Sequence, residues 1–233
     1  MELHPIAFIQ TPFTQKFGIP RQSHLALNIE GTINFQPEYC NPDYLRGIEQ
    51  FTHLWLTFGF HQHFNQASSP LVRPPRLGGN KKVGVFASRS SFRPNPIGLS
   101  LVRNKKVKVT GGQLQLVVAD IDMLNGTPIF DIKPYIPYSD NATQANAGYA
   151  EQIPKASLTV TFSNAADSHL KAWQSQYPNL KHLLITMLSL DPRPAYKKTA
   201  TDEKTYALCV YDLDVEWRVI DDRVLITQIM PIE

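Results

Sequence analysis

Two aspartates two residues apart, Asp120 and Asp122, and two histidines two residues apart, His61 and His63, are spaced to do chemistry in this 233-residue chain. On a strand such pairs leave one face, and the aromatic, β-rich run 54–64 around the histidines predicts a largely buried strand. A neutral histidine or a carboxylate can accept a proton, and a carboxylate can also hold ribose hydroxyls or an amine. For Asp120 and Asp122 a strand-end turn acid and a ligand carboxylate are equally good readings of the residues alone. A metal is the lesser reading of the histidines: catalytic zinc takes three protein ligands, His53 is the one nearby third histidine, and no acid lies close in sequence. No metal is expected.

The other chemistry is cationic. Residues 71–98 carry Arg73, Arg76, Lys81, Lys82, Arg89 and Arg93 and no acid, and Pro70, Pro74, Pro75, Pro94 and Pro96 bracket and punctuate them. Proline fixes φ and restricts the residue before it, so these arginines sit on stiff, extended backbone. Rigid guanidinium forks suit phosphate or carboxylate, because little is ordered on binding. A solvated basic loop would not need such stiffness. The bias extends from 50 to 119, where ten Lys and Arg meet no Asp or Glu, while the net charge of the whole chain is only +3. Such uncompensated potential attracts nucleic acid, a nucleotide or anionic lipid.

Several classes are excluded. No G-x-G-x-x-G follows a strand; Gly79 and Gly84 have P-loop spacing, but Val85 and Phe86 stand where Lys and Ser/Thr belong; G-x-S-x-G and H-E-x-x-H are missing. Cys40 and Cys209 lie far apart in no metal spacing, as expected of thiols in a reducing compartment. The N-terminus does not read as a signal peptide, and no apolar run approaches the ~18 residues of a membrane span. A cytoplasmic location is expected.

The elements that must position these residues are mostly strands. Residues 5–10 read as a first strand and 15–22 as a loop with a stiff Pro20-Arg21 pair. Asn41-Pro42-Asp43 reads as a helix start. Val83 and Val85 mark a strand, and 106–118 predict a hairpin turning at Gly111-Gly112. Asn125-Gly126 marks another turn, followed by a strand through Ile129 and Ile132. Short strands with Gly and Pro turns point to a β-barrel or sandwich. A polar stretch at 139–154 reads as a linker between a domain at 1–138 and a small α+β domain at 155–233. In the latter, Leu170, Trp173 and Tyr177 form a helical stripe, a second apolar helix spans about 180–190, and three strands follow.

FGIPRQ (17–22), FTHLWLTFGFHQ (51–62), VRPPRLGGN (72–80), VGVFASRSSFRPNPIGLSLV (83–102), DIDMLNGTPIFDIKPY (120–135) and DPRPAY (191–196) resemble the TsaA-like family, most closely its bacterial tRNA methyltransferase members. The resemblance spans nearly the whole chain; Asn125 stands where many relatives have Asp. It implies a mainly β protein, a single-sheet β-barrel with a small α+β C-terminal domain, working as a homodimer. It also implies an S-adenosylmethionine-dependent enzyme methylating N6 of threonylcarbamoyl-adenosine, at position 37 beside the anticodon of threonine-type tRNA. The cofactor contacts carry over to Pro20, Arg21, Gln22, His61, Gln62, Arg89, Leu99, Ala119, Asp120, Ile121 and Asp122. The resemblance names no base; His61 and Asp122 are the candidate proton acceptors. Arg21 or Arg89 would pair with the methionine carboxylate, and Asp120 or Asp122 with ribose or the amino group. Arg73, Arg76, Arg93, Arg193, Lys197 and Lys198 would grip tRNA phosphates, and Tyr196 would stack on an unpaired base. The competing expectations are a non-catalytic RNA-binding module and a metal-dependent nucleotide or phosphoester hydrolase.

Overall fold

The structure, a computed structural model, describes residues 2–193 and 204–232. The chain divides into two compact units, Met1–Thr11 with Arg21–Gln152, and Pro12–Pro20 with Ile153–Glu233.

The first unit is built on strands β1 (Ala7–Gln10), β2 (Glu30–Phe35), β3 (His53–Gly59), β4 (Leu71–Val72), β5 (Val83–Gly84), β6 (Ile97–Thr110), β7 (Gln113–Ala119) and β8 (Thr127–Pro134). Six of them pair antiparallel in the order β1-β2-β7-β6-β3-β8, and β8 pairs back on β1 through Ala7 and Ile129, so the ladder closes on itself. Closure matters because an open edge would leave a row of unpaired backbone groups. Alternation fills the interior: Ile9, Ile33, Leu54, Leu56, Leu116 and Ile129 are all fully buried.

The predicted hairpin is β6 with β7, paired from Thr110–Gln113 inward across Gly111 and Gly112, both at positive φ. Only its β7 face is core: Leu114 and Leu116 are buried while Val107 and Val109 are exposed, because β3 stops opposite Arg103 and leaves the outer part of β6 uncovered. The turn at Gly126 is also present, and Asn125 Oδ1 accepts the Thr11 amide at 3.0 Å. A carboxylate there would accept the same bond, so Asn for Asp leaves this contact intact. Strand β2 had no counterpart in the sequence reading; its alternation is thin, since Gly31 stands where a bulky inward residue would strike Ile9 and Ile121.

Three expectations are corrected. The segment beginning at Asn41 is a 3-10 turn, Pro42–Leu45, capped by Asn41 onto the Asp43 amide, not the start of a longer helix. Val85 lies in a second such turn, Val85–Ala87. Most consequentially, β3 ends at Gly59 and His61–His63 is a 3-10 turn. Gly59 and Phe60 turn the chain out of the ladder, so the two histidines do not share a strand face. His63 is buried, edge-on to Phe92 at 4.7 Å and 3.3 Å from Ser91 Oγ. The stretch after β8 opens with a single turn α1 (Pro137–Asp140). It is lashed to the first unit: Trp55 Nε1 donates to Asp140, Arg76 Nη1 donates to the Ala150 and Gln152 carbonyls, and the Tyr149 hydroxyl donates to Ala87 O.

The second unit holds β9 (Thr159–Phe162), α2 (Asn164–Trp173), α3 (Leu180–Ser189), β10 (Tyr206–Val210), β11 (Leu213–Ile220) and β12 (Arg223–Pro231). Its sheet order is β10-β11-β12-β9, with β9 parallel to β12. Ser163 caps α2 by accepting the Ala166 amide. The helix ends at Trp173, and Tyr177 beyond it stacks on Tyr211 at 4.2 Å and donates to Asp212 at 2.6 Å. Burial and that carboxylate push the phenol up to about 12. Trp217, fully buried and stacked on Tyr206, centres the core of this unit.

Candidate functional site

Where β7 ends at Ala119 the backbone must leave the ladder, and Asp120 does this at φ +64°. Asp tolerates that left-handed region better than most residues. Its carboxylate, 2% exposed, accepts the Asn28 amide at 2.7 Å and Arg103 Nη2 at 3.1 Å, with His24 Nδ1 at 3.6 Å. Arg103 also donates to Asn28 Oδ1, and the His24 amide donates to Asp120 O. His24 and Asn28 are themselves at φ +65°. Asp120 therefore pins an unusually folded loop, residues 24–28, against the end of the ladder. The His24 ring lies 5.7 Å from that of His53, whose pKa is lowered by burial and then by His24.

Two residues on, past the fully buried Ile121, Asp122 meets the same loop from the other side. Ser100 Oγ donates to its Oδ1 at 2.5 Å, the Ser23 amide donates to its carboxylate, and the Arg89 charge acts on it. Burial still dominates and raises the Asp122 pKa; these hydrogen bonds and Arg89 only partly offset it. Arg89 Nη1 donates to Gln22 Oε1, and Gln22 Nε2 to Arg21 O. Loop 21–23, the basic loop at Arg89, the start of β6 and the segment after β7 thus bring Gln22, Arg89 and Asp122 into one cluster, with the Arg21 carbonyl beside Gln22 and its side chain exposed.

Other expected contacts fall differently. Asp120 is spent on Arg103, His24 and the loop, whereas Asp122 is half-buried beside Ser100. Ala119 and Ile121 are fully buried. Leu99 is 54% exposed on the outer face of β6, opposite Ser100, so alternation separates it from the Asp122 face. His61, half-buried, and Gln62, exposed, stand on the 3-10 turn after β3. Pro20 belongs to the second unit. Among the RNA candidates, Arg73 is exposed and Arg76 is engaged with the carbonyls of residues 150 and 152. Arg93 braces its own loop through Ser88 O and Ser90 O. Arg193 is 2% exposed with Nε and Nη2 forked onto Asp191, a buried ion pair and not the surface clamp expected of it. Tyr196, Lys197 and Lys198 lie outside the described residues.

Ser100, Ser23, Asn28 and Arg103 were missed. Ser100 had a readable signal: in Leu99-Ser100-Leu101-Val102 it takes the inward position, and a buried polar side chain on an apolar strand is informative. Ser23 acts through its backbone amide, and Asn28 through its amide as well as its side chain; backbone donors are displayed by no side-chain pattern.

A closed antiparallel ladder with a guanidinium–amide–carboxylate cluster beside a stiff, acid-free loop defines a mainly β protein outside the Rossmann and P-loop classes. The family model of the tRNA-methyltransferase O N-terminal domain matches residues 8–141, and that of the TrmO C-terminal domain matches 155–232. The chain belongs to the tRNA-methyltransferase O family. It is 42% identical over 220 residues, 94% of each chain, to the tRNA (adenine(37)-N6)-methyltransferase of Escherichia coli K12. It is 41% identical over 215 residues to a putative S-adenosylmethionine-dependent methyltransferase of Pseudomonas aeruginosa, covering 91% of this chain and 90% of that one. A crystal structure of TrmO superposes with a TM-score of 0.81 at 32% identity, covering 99% of both chains.

Proposed function

We propose that this chain is an S-adenosylmethionine-dependent tRNA (adenine(37)-N6)-methyltransferase, acting on N6 of N6-threonylcarbamoyladenosine beside the anticodon of threonine tRNA. The observation that carries the reading is the Gln22–Arg89–Asp122 cluster, braced by Ser100 and Ser23, in a chain of this family.

The cluster's donor set fits the cofactor. Arg89 is an exposed cationic fork suited to the amino-acid carboxylate, and Asp122 is a carboxylate suited to the ammonium or ribose hydroxyls. When bound, S-adenosylmethionine supplies a methyl group on a sulfonium, already a good leaving group. The protein's task is then orientation, and the cluster suits it because its groups are held before any ligand arrives. Adenine N6 is a weak nucleophile whose proton must leave. His61 and Asp122 are the candidates to take it; burial makes an Asp122 carboxylate not engaged with the ammonium a better base than an ordinary aspartate. Arg73, Lys81 and Lys82 supply positive potential for the phosphates.

The closed six-strand ladder is read as a single-sheet β-barrel domain over residues 1–138, followed by a linker at 139–154 and an α+β domain at 155–233. The protein is further read as a cytoplasmic homodimer. No helix among the described residues is long and apolar enough to cross a membrane. The hydrolase reading rests on a histidine pair sharing a strand face, and His61–His63 is instead a 3-10 turn.

Incubation of the purified chain with threonine tRNA and S-adenosylmethionine, followed by nucleoside mass spectrometry, tests the proposal. One added methyl on threonylcarbamoyladenosine is expected. An unchanged nucleoside alongside undiminished tRNA binding would instead leave a binding module.

A further inference from the structure

We propose that Phe86 is a stacking platform for an unpaired base of the RNA substrate, next to the base that is methylated. The inference rests on the tRNA reading above and assigns it a residue.

Phe86 is 78% exposed, more than any other phenylalanine among the described residues. It is not on a loose tip. Its 3-10 turn, Val85–Ala87, is fixed on every side. The buried Val85 donates its amide to Pro70 O at 3.0 Å, and Ser88 returns both its amide and its hydroxyl to Val85 O. Tyr149 donates to Ala87 O at 3.0 Å, and Arg93 donates to Ser88 O at 3.0 Å. A large apolar ring is thus presented to water on backbone that has little left to lose on binding, which is the economy of a preorganised contact. Among the described residues the ring makes no aromatic or cation–π contact. The other exposed rings of this region are engaged: Phe92 packs on His63, and Phe64 lies against Gly59.

Its surroundings select the occupant. The stretch 71–98 carries six cations and no acid, so an apolar ring here stands in positive potential. Single-stranded RNA has that complement: phosphates for Lys81, Lys82 and Arg73, and unstacked base faces for an aromatic side chain. Arg89 is three residues along the chain, at most about 11 Å away, and its guanidinium is in the cofactor cluster. A base stacked on Phe86 would be held by the same loop that carries Arg89, and a base splayed from its neighbours gains a surface that offsets its lost stacking.

The test uses an anticodon stem-loop RNA with 2-aminopurine at an unpaired loop position, titrated with wild-type, Phe86→Ala, Phe86→Leu and Phe86→Trp proteins at several salt concentrations. Expected are a rise in 2-aminopurine emission with wild type as the base leaves its RNA neighbours, about tenfold weaker binding for Phe86→Ala and Phe86→Leu, and recovered affinity in Phe86→Trp. The slope of log affinity against log salt should stay unchanged, because a neutral ring releases no counterions; Lys82→Ala should lower it by about one. A Phe86→Ala affinity within twofold of wild type overturns the inference while leaving the tRNA reading standing. So does a change in oligomeric state by light scattering in Phe86→Ala, which assigns the ring to a second copy of the chain. A wild-type protein that binds no RNA overturns both.

Discussion

Removing the Asp120 carboxylate should cost more stability than any surface substitution, because three separate supports depend on it. In Asp120→Ala the Asn28 amide loses a charge-assisted hydrogen bond of 2.7 Å, worth about 1.5–3 kcal/mol. The Arg103 pair is discounted, since that side chain is 34% exposed, and is assigned at most about 1 kcal/mol. Alanine at φ +64° adds about 1–2 kcal/mol of backbone strain. The sum is roughly 2.5–6 kcal/mol. Asp120→Asn keeps a residue that tolerates the left-handed region and an oxygen that can still accept from Asn28, so about 1–2 kcal/mol is expected. At roughly 2–4 °C per kcal/mol for 150–250 residues, Tm should fall about 2–8 °C in Asn and about 5–24 °C in Ala, measured by calorimetry. The KM for S-adenosylmethionine should rise in both, because Arg21 and Gln22 immediately precede the loop that Asp120 pins. Equal losses in Asn and Ala, or an Ala variant within about 1 kcal/mol of wild type, would refute this account of the pin.

Asp122 should behave in the opposite way. Burial holds its folded pKa above the unfolded value near 3.9, so its contribution to stability is present below that value and is lost as pH rises through the folded one. Asp122→Asn should match wild type in Tm below about pH 4, exceed it at neutral pH, and lose methyl transfer at least about tenfold in kcat; a neutral-pH Tm below wild type would contradict the burial argument. Gly98→Ala places a methyl group into the buried Phe58 ring and should cost about 1–3 kcal/mol by denaturant titration; Gly84→Ala, where a Cβ meets nothing, should cost under about 1 kcal/mol. Arg73→Ala should weaken tRNA binding and lower its salt slope by about one, whereas Arg193→Ala, which strips a buried carboxylate of its partner, should lower Tm and leave the slope alone.

Much of this was legible where local chemistry decides. Gly111-Gly112 demands a turn that only such residues make freely, and the alternation of Leu114 and Leu116 names the buried face. The stiff cationic loop was equally plain, and it does carry Arg89. What the residues could not announce was where a strand stops. LWLTFGFHQHF is uniformly aromatic and β-prone, yet the ladder ends at Gly59 because the opposing strand begins at Ile97. That depends on pairing across the sheet, not on the residues themselves, and it moves His61 off the expected face. The division of labour between Asp120 and Asp122 was hidden for a related reason: it rests on Arg103, on backbone amides of residues 23 and 28, and on three non-glycine residues at positive φ. Arg193 looked like the other Pro-flanked arginines, and only its packing on Asp191 sets it apart.

A crystal structure with S-adenosylhomocysteine bears most directly on the central claim. The amino-acid portion should lie on Arg89 and the ammonium or ribose on Asp122, with Ser100 still donating to that carboxylate. Electron density for the ligand in the groove lined by Tyr44, Arg46, Phe51, Ile132 and Pro134, with the Arg89–Asp122 cluster untouched, would contradict it.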